Sequence, residues 1–210
     1  MDCQLYVVAE AGEAALERVS AALAAARVAS VLIVPAPGGV LHAPMAQALI
    51  ATAQQAGTAA LIADNAGLAR NLGADGVHLH ASKDAAKAFT AARSTIGRDG
   101  IVGVDAGISR HDAMSLAEAG ADYIAFGAPA RLKDREKARA RRDELIAWWA
   151  EIFETPCVAF DVETPEEAEM LASAGADFVA LTLPVGAAPA ETHSLVAAIA
   201  AALRAPAAAG

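Results

Sequence analysis

Three segments of the chain repeat one pattern of apolar and polar positions: Leu68-Ala69-Arg70-Asn71-Leu72-Gly73-Ala74-Asp75-Gly76-Val77-His78-Leu79, Leu116-Ala117-Glu118-Ala119-Gly120-Ala121-Asp122-Tyr123-Ile124-Ala125-Phe126, and Leu171-Ala172-Ser173-Ala174-Gly175-Ala176-Asp177-Phe178-Val179-Ala180-Leu181. In each, a helical pattern stops at a glycine, an aspartate follows, and a short apolar, partly β-branched run begins. Glycine accommodates the left-handed conformation that ends a helix, and the run after the aspartate has the length and composition of a buried strand. The repeat is a helix-to-strand joint.

Extending outward from these joints predicts strands near 3–9, 30–35, 59–64, 76–80, 101–105, 123–127, 156–161 and 178–183. Helical patterns fall between and after them, near 13–27, 43–56, 65–72, 83–95, 110–119, 135–152, 165–174 and 190–203. Strictly alternating strands and helices predict a parallel α/β fold, a single (β/α)8 TIM barrel of near-minimal length. A doubly wound open sheet is the alternative. Its dinucleotide-binding form lacks support, because Val8-Ala9-Glu10-Ala11-Gly12-Glu13 stands where a Gly-x-Gly-x-x-Gly turn would follow the first strand. No linker or charge block divides the chain, so residues 1–204 read as one domain and 205–210 as an Ala/Pro-rich tail.

Composition narrows the function. The 210 residues are 56% apolar, enough for a large core and too many for disorder, and 59 of them are alanine. A net charge of −9 repels a phosphate backbone, which argues against nucleic acid as a partner. No apolar run is long enough to span a membrane, and Met1-Asp2-Cys3-Gln4-Leu5 lacks the basic and apolar regions of a signal peptide, so a cytoplasmic location and a small-molecule ligand are expected. Cys3 and Cys157 sit in apolar runs and read as core residues. Trp148 and Trp149 on one helix leave room for a homodimer contact, with one ring facing the barrel and the other a partner or a loop.

In a barrel of this kind the site lies at the C-terminal ends of the strands. Those ends are Glu10, Pro35, Asp64, His80, Asp105, Gly127, Asp161 and Thr182. Parity supports this placement: Val77, Leu79, Ile124, Phe126, Val179 and Leu181 suit the helix-facing side, while Gly76, His78, His80, Tyr123, Ala125, Gly127, Phe178, Ala180 and Thr182 suit the interior. Carboxylates ringing a mouth suit a cation or metal, an acid/base pair, or merely a hydrated rim. Asp64, His80, Asp105 and Asp161 are the candidate catalytic groups, whereas Glu10 is better read as complementing the first helix dipole. His78, between apolar neighbours, reads as a core histidine satisfied by a carbonyl. The basic run Arg131–Arg142 is mostly a solvated helix face, but its start lies at the mouth, where Lys133 and Arg135 are placed to hold an anion.

Leu61-Ile62-Ala63-Asp64, Gly73-Ala74-Asp75-Gly76-Val77-His78-Leu79, Ile101-Val102-Gly103-Val104 and Gly120-Ala121-Asp122-Tyr123-Ile124-Ala125-Phe126-Gly127 resemble, in order and spacing, the thiamine phosphate synthases and their relatives, the thiazole tautomerases. The resemblance implies a barrel that joins a pyrimidine pyrophosphate to a thiazole phosphate, with Mg2+ as cofactor steadying the departing pyrophosphate. It assigns the metal to Asp64 and Asp84; the residues expected to bind the substrate are Lys133 and Arg135 at the start of the basic run, with Gly127 and Thr182 at the strand ends.

The anion-binding motifs depart from that pattern. The Gln, Arg and Lys expected on the second strand fall at Leu32, Val34 and Ala36, which offer no side-chain donor. Asn-Asp-Arg after the third strand reads Ala63-Asp64-Asn65, and His80-Ala81 replaces Gly-Gln. The Ser after the fifth strand is Asp105, and a nearby His falls at Gly107. The Thr-x-Thr-Lys loop reads Leu132-Lys133-Asp134-Arg135, and the phosphate-cradling glycine pair after the seventh strand reads Asp161-Val162. Three readings follow: a diverged relative handling a less phosphorylated small molecule; an active thiamine phosphate synthase or tautomerase in which Lys133, Arg135 and amides near Gly186 replace the lost contacts; or a non-catalytic binding or regulatory subunit.

Overall fold

Eight parallel strands close into a barrel in chain order in this computed structural model, which describes residues 3–128 and 133–204. The elements are β1 (Gln4–Ala11), α1 (Ala15–Ala25), β2 (Val28–Pro35), α2 (Ala43–Gln55), β3 (Ala59–Ala63), α3 (Ala66–Leu72), β4 (Gly76–Leu79), α4 (Ala85–Ile96), β5 (Ile101–Asp105), α5 (Arg110–Glu118), β6 (Tyr123–Phe126), α6 (Arg135–Ile152), β7 (Cys157–Val162), α7 (Pro165–Ser173), β8 (Phe178–Thr182) and α8 (Pro189–Ala202). This is the (β/α)8 barrel that the alternation predicts. The tail 205–210 and the residues 129–132, including Arg131 and Leu132 of the basic run, lie outside the described residues.

The repeated joint has a structural reason. Gly73, which closes α3 in the left-handed region at φ 70°, donates to carbonyl oxygens of the last turn. The aspartate that follows each joint reaches sideways to the start of the preceding strand. Asp75 accepts the Ala60 N–H at 2.7 Å, Asp122 the Val102 N–H at 2.7 Å, and Asp177 the Cys157 N–H at 2.8 Å. Each carboxylate thus satisfies an otherwise unpaired amide at the N-terminal rim and ties β4 to β3, β6 to β5 and β8 to β7.

Strand parity sorts the side chains as expected. Val77, Leu79, Ile124, Phe126, Val179 and Leu181 pack into the cluster between barrel and helices, while Tyr6, Val8, Leu32, Leu61, Ala63, Tyr123, Ala125, Val158 and Ala180 fill the interior. Cys157 is buried and Cys3 half-buried; both are free, and burial pushes both thiols up to about 12, which leaves them unreactive core residues. Trp149 is fully buried and donates to the Thr155 carbonyl at 2.7 Å. Trp148 is covered by the Arg110 guanidinium, 4.6 Å from its ring centre, so a group of the same chain caps the ring assigned to a partner or a loop. No helix of the described residues is long and apolar enough to cross a membrane.

Candidate functional site

Three of the mouth carboxylates end odd-numbered strands, and two of them sit on unusual backbone. Asp64 and Asp161 adopt φ of 53° and 60°, in the left-handed region that costs most residues energy and that aspartate tolerates better than most. At Asp64 this conformation turns the carboxylate toward the end of β4. One oxygen accepts the His80 N–H at 2.8 Å and the other pairs with His80 Nδ1 at 2.7 Å. About half of each side chain is open to solvent, 57% for Asp64 and 49% for His80. Partial burial alone would raise the Asp64 carboxyl, but the bonds and charge of His80 outweigh it and hold the group below the usual carboxylate range. A histidine oriented by a carboxylate at a strand end is equipped to take or give a proton.

Asp105, closing β5, behaves oppositely. Burial raises its carboxyl, against the opposing pull of the Gly107 N–H bonded at 2.7 Å. The mouth therefore holds two carboxylates whose environments push them apart, one toward the ionised and one toward the protonated form, as acid and base roles require. At Asp161 the left-handed turn breaks the β7–β8 register between Ala159 and Val162. Its carboxylate folds over the end of β6 and accepts the Ala128 N–H at 2.9 Å. Gly127 is glycine for that reason: a Cβ there would stand 2.7 Å from Asp161 Oδ2. Thr182, at the exposed end of β8, joins Asp161 and Arg135 in lining a cavity of about 410 Å³ between the β7 and β8 ends.

Beneath the mouth lies a polar column that sequence reading did not assemble. Tyr6 and Tyr123 hydroxyls meet at 3.0 Å, and Tyr123 also bonds His78 Nδ1 at 2.9 Å. His78 stacks on Phe160 at 4.9 Å and lies edge to face with His80 at 5.2 Å. Its partner is thus a hydroxyl and not the expected carbonyl, and its Nε2 has no hydrogen bond among the described residues. The interior parity of Tyr6, Tyr123 and Phe160 was the available signal. What parity does not reveal is that Gly103, between His78 and Tyr123 in register, leaves the space across which Tyr123 leans.

Full burial pushes the His78 imidazole down to about 3, with the charge of His80 adding to the shift and that of Asp64 opposing it. The folded value lies below the unfolded one, so the associated stability is present above about pH 6.5 and is lost as the pH falls toward about 3. By pH 4 the loss from this one residue amounts to about 3 kcal/mol. Urea unfolding at pH 7 and pH 4 checks it. Wild type is expected to lose about that much more stability than His78→Gln, whereas equal losses would refute neutral burial of His78.

The basic end of α6 is neutralised from within. Arg135 donates to Glu163 at 2.7 Å, Arg139 to the other oxygen of the same carboxylate at 2.5 Å, and the buried Arg142 to Glu167 at 2.7 Å. Lys133 is exposed at the start of this region. For Mg2+, Asp64 and Asp84 both offer the oxygen ligands that a hard cation takes. Asp84, exposed before α4, does not spend its carboxylate on capping that helix. No group of three or more His, Cys, Asp or Glu side chains placed to hold a metal occurs among the described residues. Mg2+ is commonly held by one or two carboxylates, waters and substrate phosphates, so the donor types of Asp64 and Asp84 suit it, although both Asp64 oxygens already accept from His80.

Comparison with known proteins bears on this geometry. The sequence pattern described as thiamine monophosphate synthase matches residues 5–185. A thiamine-phosphate synthase of Rhodospirillum centenum is 38% identical over 186 residues, covering 86% of this chain and 87% of that protein. One from Erythrobacter litoralis is 42% identical over 142 residues, which cover 67% of this chain and 65% of the relative. Among solved structures, thiamine phosphate pyrophosphorylase from Pyrococcus furiosus superposes with a TM-score of 0.74 at 19% identity, covering 95% of each chain, a likeness of fold.

Proposed function

Because the chain belongs to the thiamine monophosphate synthase family, we propose that it is a diverged member that binds or converts a less phosphorylated small molecule at its acidic mouth. The observation that carries this reading is the Asp161 carboxylate. It takes the Ala128 amide, lies over Gly127, and stands at the first position of the pair that the resemblance gives as phosphate-cradling glycines. An internal anion in that place repels an external one and uses an amide that would otherwise serve it. Leu32, Val34 and Ala36 leave the pyrophosphate side equally without donors.

In this reading the Asp64–His80 pair acts as the base that removes a ligand proton, with Asp64 orienting the imidazole. Asp105, its carboxyl raised by burial, returns a proton on another side of the mouth, and Thr182 and Gly127 border the ligand. Mg2+, held by Asp64 and Asp84, would supply charge stabilisation for an oxygen of the ligand. A second reading has one observation in its favour, the name of the Rhodospirillum relative over most of both chains. It makes the protein an active thiamine phosphate synthase or tautomerase, with Lys133, Arg135 and the amides near Gly186 as substitute phosphate contacts.

The two readings part in one assay. With pyrimidine pyrophosphate, thiazole phosphate and Mg2+, the diverged reading expects no condensation above background. Turnover that Asp64→Ala abolishes would overturn it in favour of the second.

A further inference from the structure

We propose that Glu163 is a second specificity residue, beside Asp161, that keeps phosphate out of this mouth, by occupying two guanidiniums that together form a latent oxyanion subsite. The proposal rests on the anion-poor reading of the mouth and names a residue that enforces it. Glu163 follows β7 directly, and its two carboxylate oxygens are divided between Arg135 Nη2 at 2.7 Å and Arg139 Nη2 at 2.5 Å. A carboxylate bridging two guanidiniums stands where a phosphate would bridge them with two of its own oxygens. The arrangement is held from behind: the Glu163 N–H donates to Glu167 Oε2 at 2.8 Å, and Glu167 Oε1 is fixed by the fully buried Arg142 side chain at 2.7 Å.

A ligand-sized space adjoins this clamp. Arg135, Asp161, Glu163, Thr182, Pro184 and Leu195 line the cavity of about 410 Å³, which is within the range that small-molecule sites occupy. Arg135 also keeps a buried Nε with no hydrogen bond among the described residues, whereas Arg139 Nε lies 3.6 Å from Glu167 Oε1. An arriving phosphate must compete for the clamp with a carboxylate of the same chain, tethered beside it and therefore at high effective concentration. Removing the Glu163 charge leaves Arg135 on the cavity wall without its carboxylate partner, and frees the Arg139 Nη2 behind it while Arg139 Nε stays 3.6 Å from Glu167 Oε1, which shifts the balance of the clamp toward positive.

Calorimetric titration with inorganic phosphate tests this in the intact protein. Glu163→Gln keeps the shape and the N–H bond to Glu167, and is expected to bind phosphate at least tenfold more tightly than wild type. The Arg135→Ala/Glu163→Gln double variant is expected to lose that gain. No gain in Glu163→Gln or in Glu163→Ala, with circular dichroism intact, would overturn the proposal, as would a gain that persists without Arg135. The ratio of variant to wild type decides the role of Glu163. Tight phosphate binding by wild type itself would instead sink the anion-poor reading of the mouth.

Discussion

Replacing Asp161 with glycine is expected to raise affinity for inorganic phosphate on the order of a hundredfold. A carboxylate about 4 Å from a phosphate opposes it by roughly 4 kcal/mol per unit charge at an effective dielectric near 20, and partial exposure of Asp161 screens part of that. Two further effects act in the same direction. The substitution frees the Ala128 N–H as a donor, and it clears the space over Gly127 that Asp161 Oδ2 now fills. The fold should tolerate the change, because φ of 60° is a conformation that glycine adopts without the strain aspartate bears. Titration of the variant and the wild type with phosphate reads the effect. Equal affinities would mean that Asp161 does not guard an anion position.

Gly103→Ala is expected to destabilise the barrel by about 3 kcal/mol or more. A Cβ at Gly103 would lie 1.9 Å from Tyr123 Cζ and 2.2 and 2.3 Å from its Cε atoms, far inside contact distance. Tyr123 has little freedom to retreat, since its hydroxyl is held by both Tyr6 and His78 and the ring is buried. Any retreat would break the column and leave buried polar groups without partners, at about 1–3 kcal/mol each. Chemical denaturation measures the loss, and a double-mutant cycle with Tyr123→Val locates it. Shrinking the ring should recover a substantial share of the alanine penalty. A Gly103→Ala protein as stable as wild type would show that Tyr123 does not depend on the missing side chain.

The barrel was legible because its evidence is local and repeated. A helix stop, an aspartate and a short apolar run recur in three places, and strand parity then separates the interior from the helix-facing layer without any long-range information. The candidate residues were legible as strand ends for the same reason. Their partnerships were not. The pairing of Asp64 with His80 depends on a left-handed turn that no residue type at position 64 demands, and the same holds for the fold of Asp161 over Gly127. Arg135 read as an anion-holding group because its charge is visible in sequence; its neutralisation by Glu163, 28 positions away, is not. The column from Tyr6 through Tyr123 to His78 spans separations of 117 and 45 residues, so only the register of the closed sheet brings it together.

The proposed function leaves this thiamine monophosphate synthase barrel without either of its anion cradles. It is tested most directly by calorimetric titration of the intact protein with inorganic pyrophosphate and with thiazole phosphate, each with and without Mg2+. No binding of either in the micromolar range is expected under any of these conditions. Micromolar, Mg2+-dependent binding of pyrophosphate would contradict it.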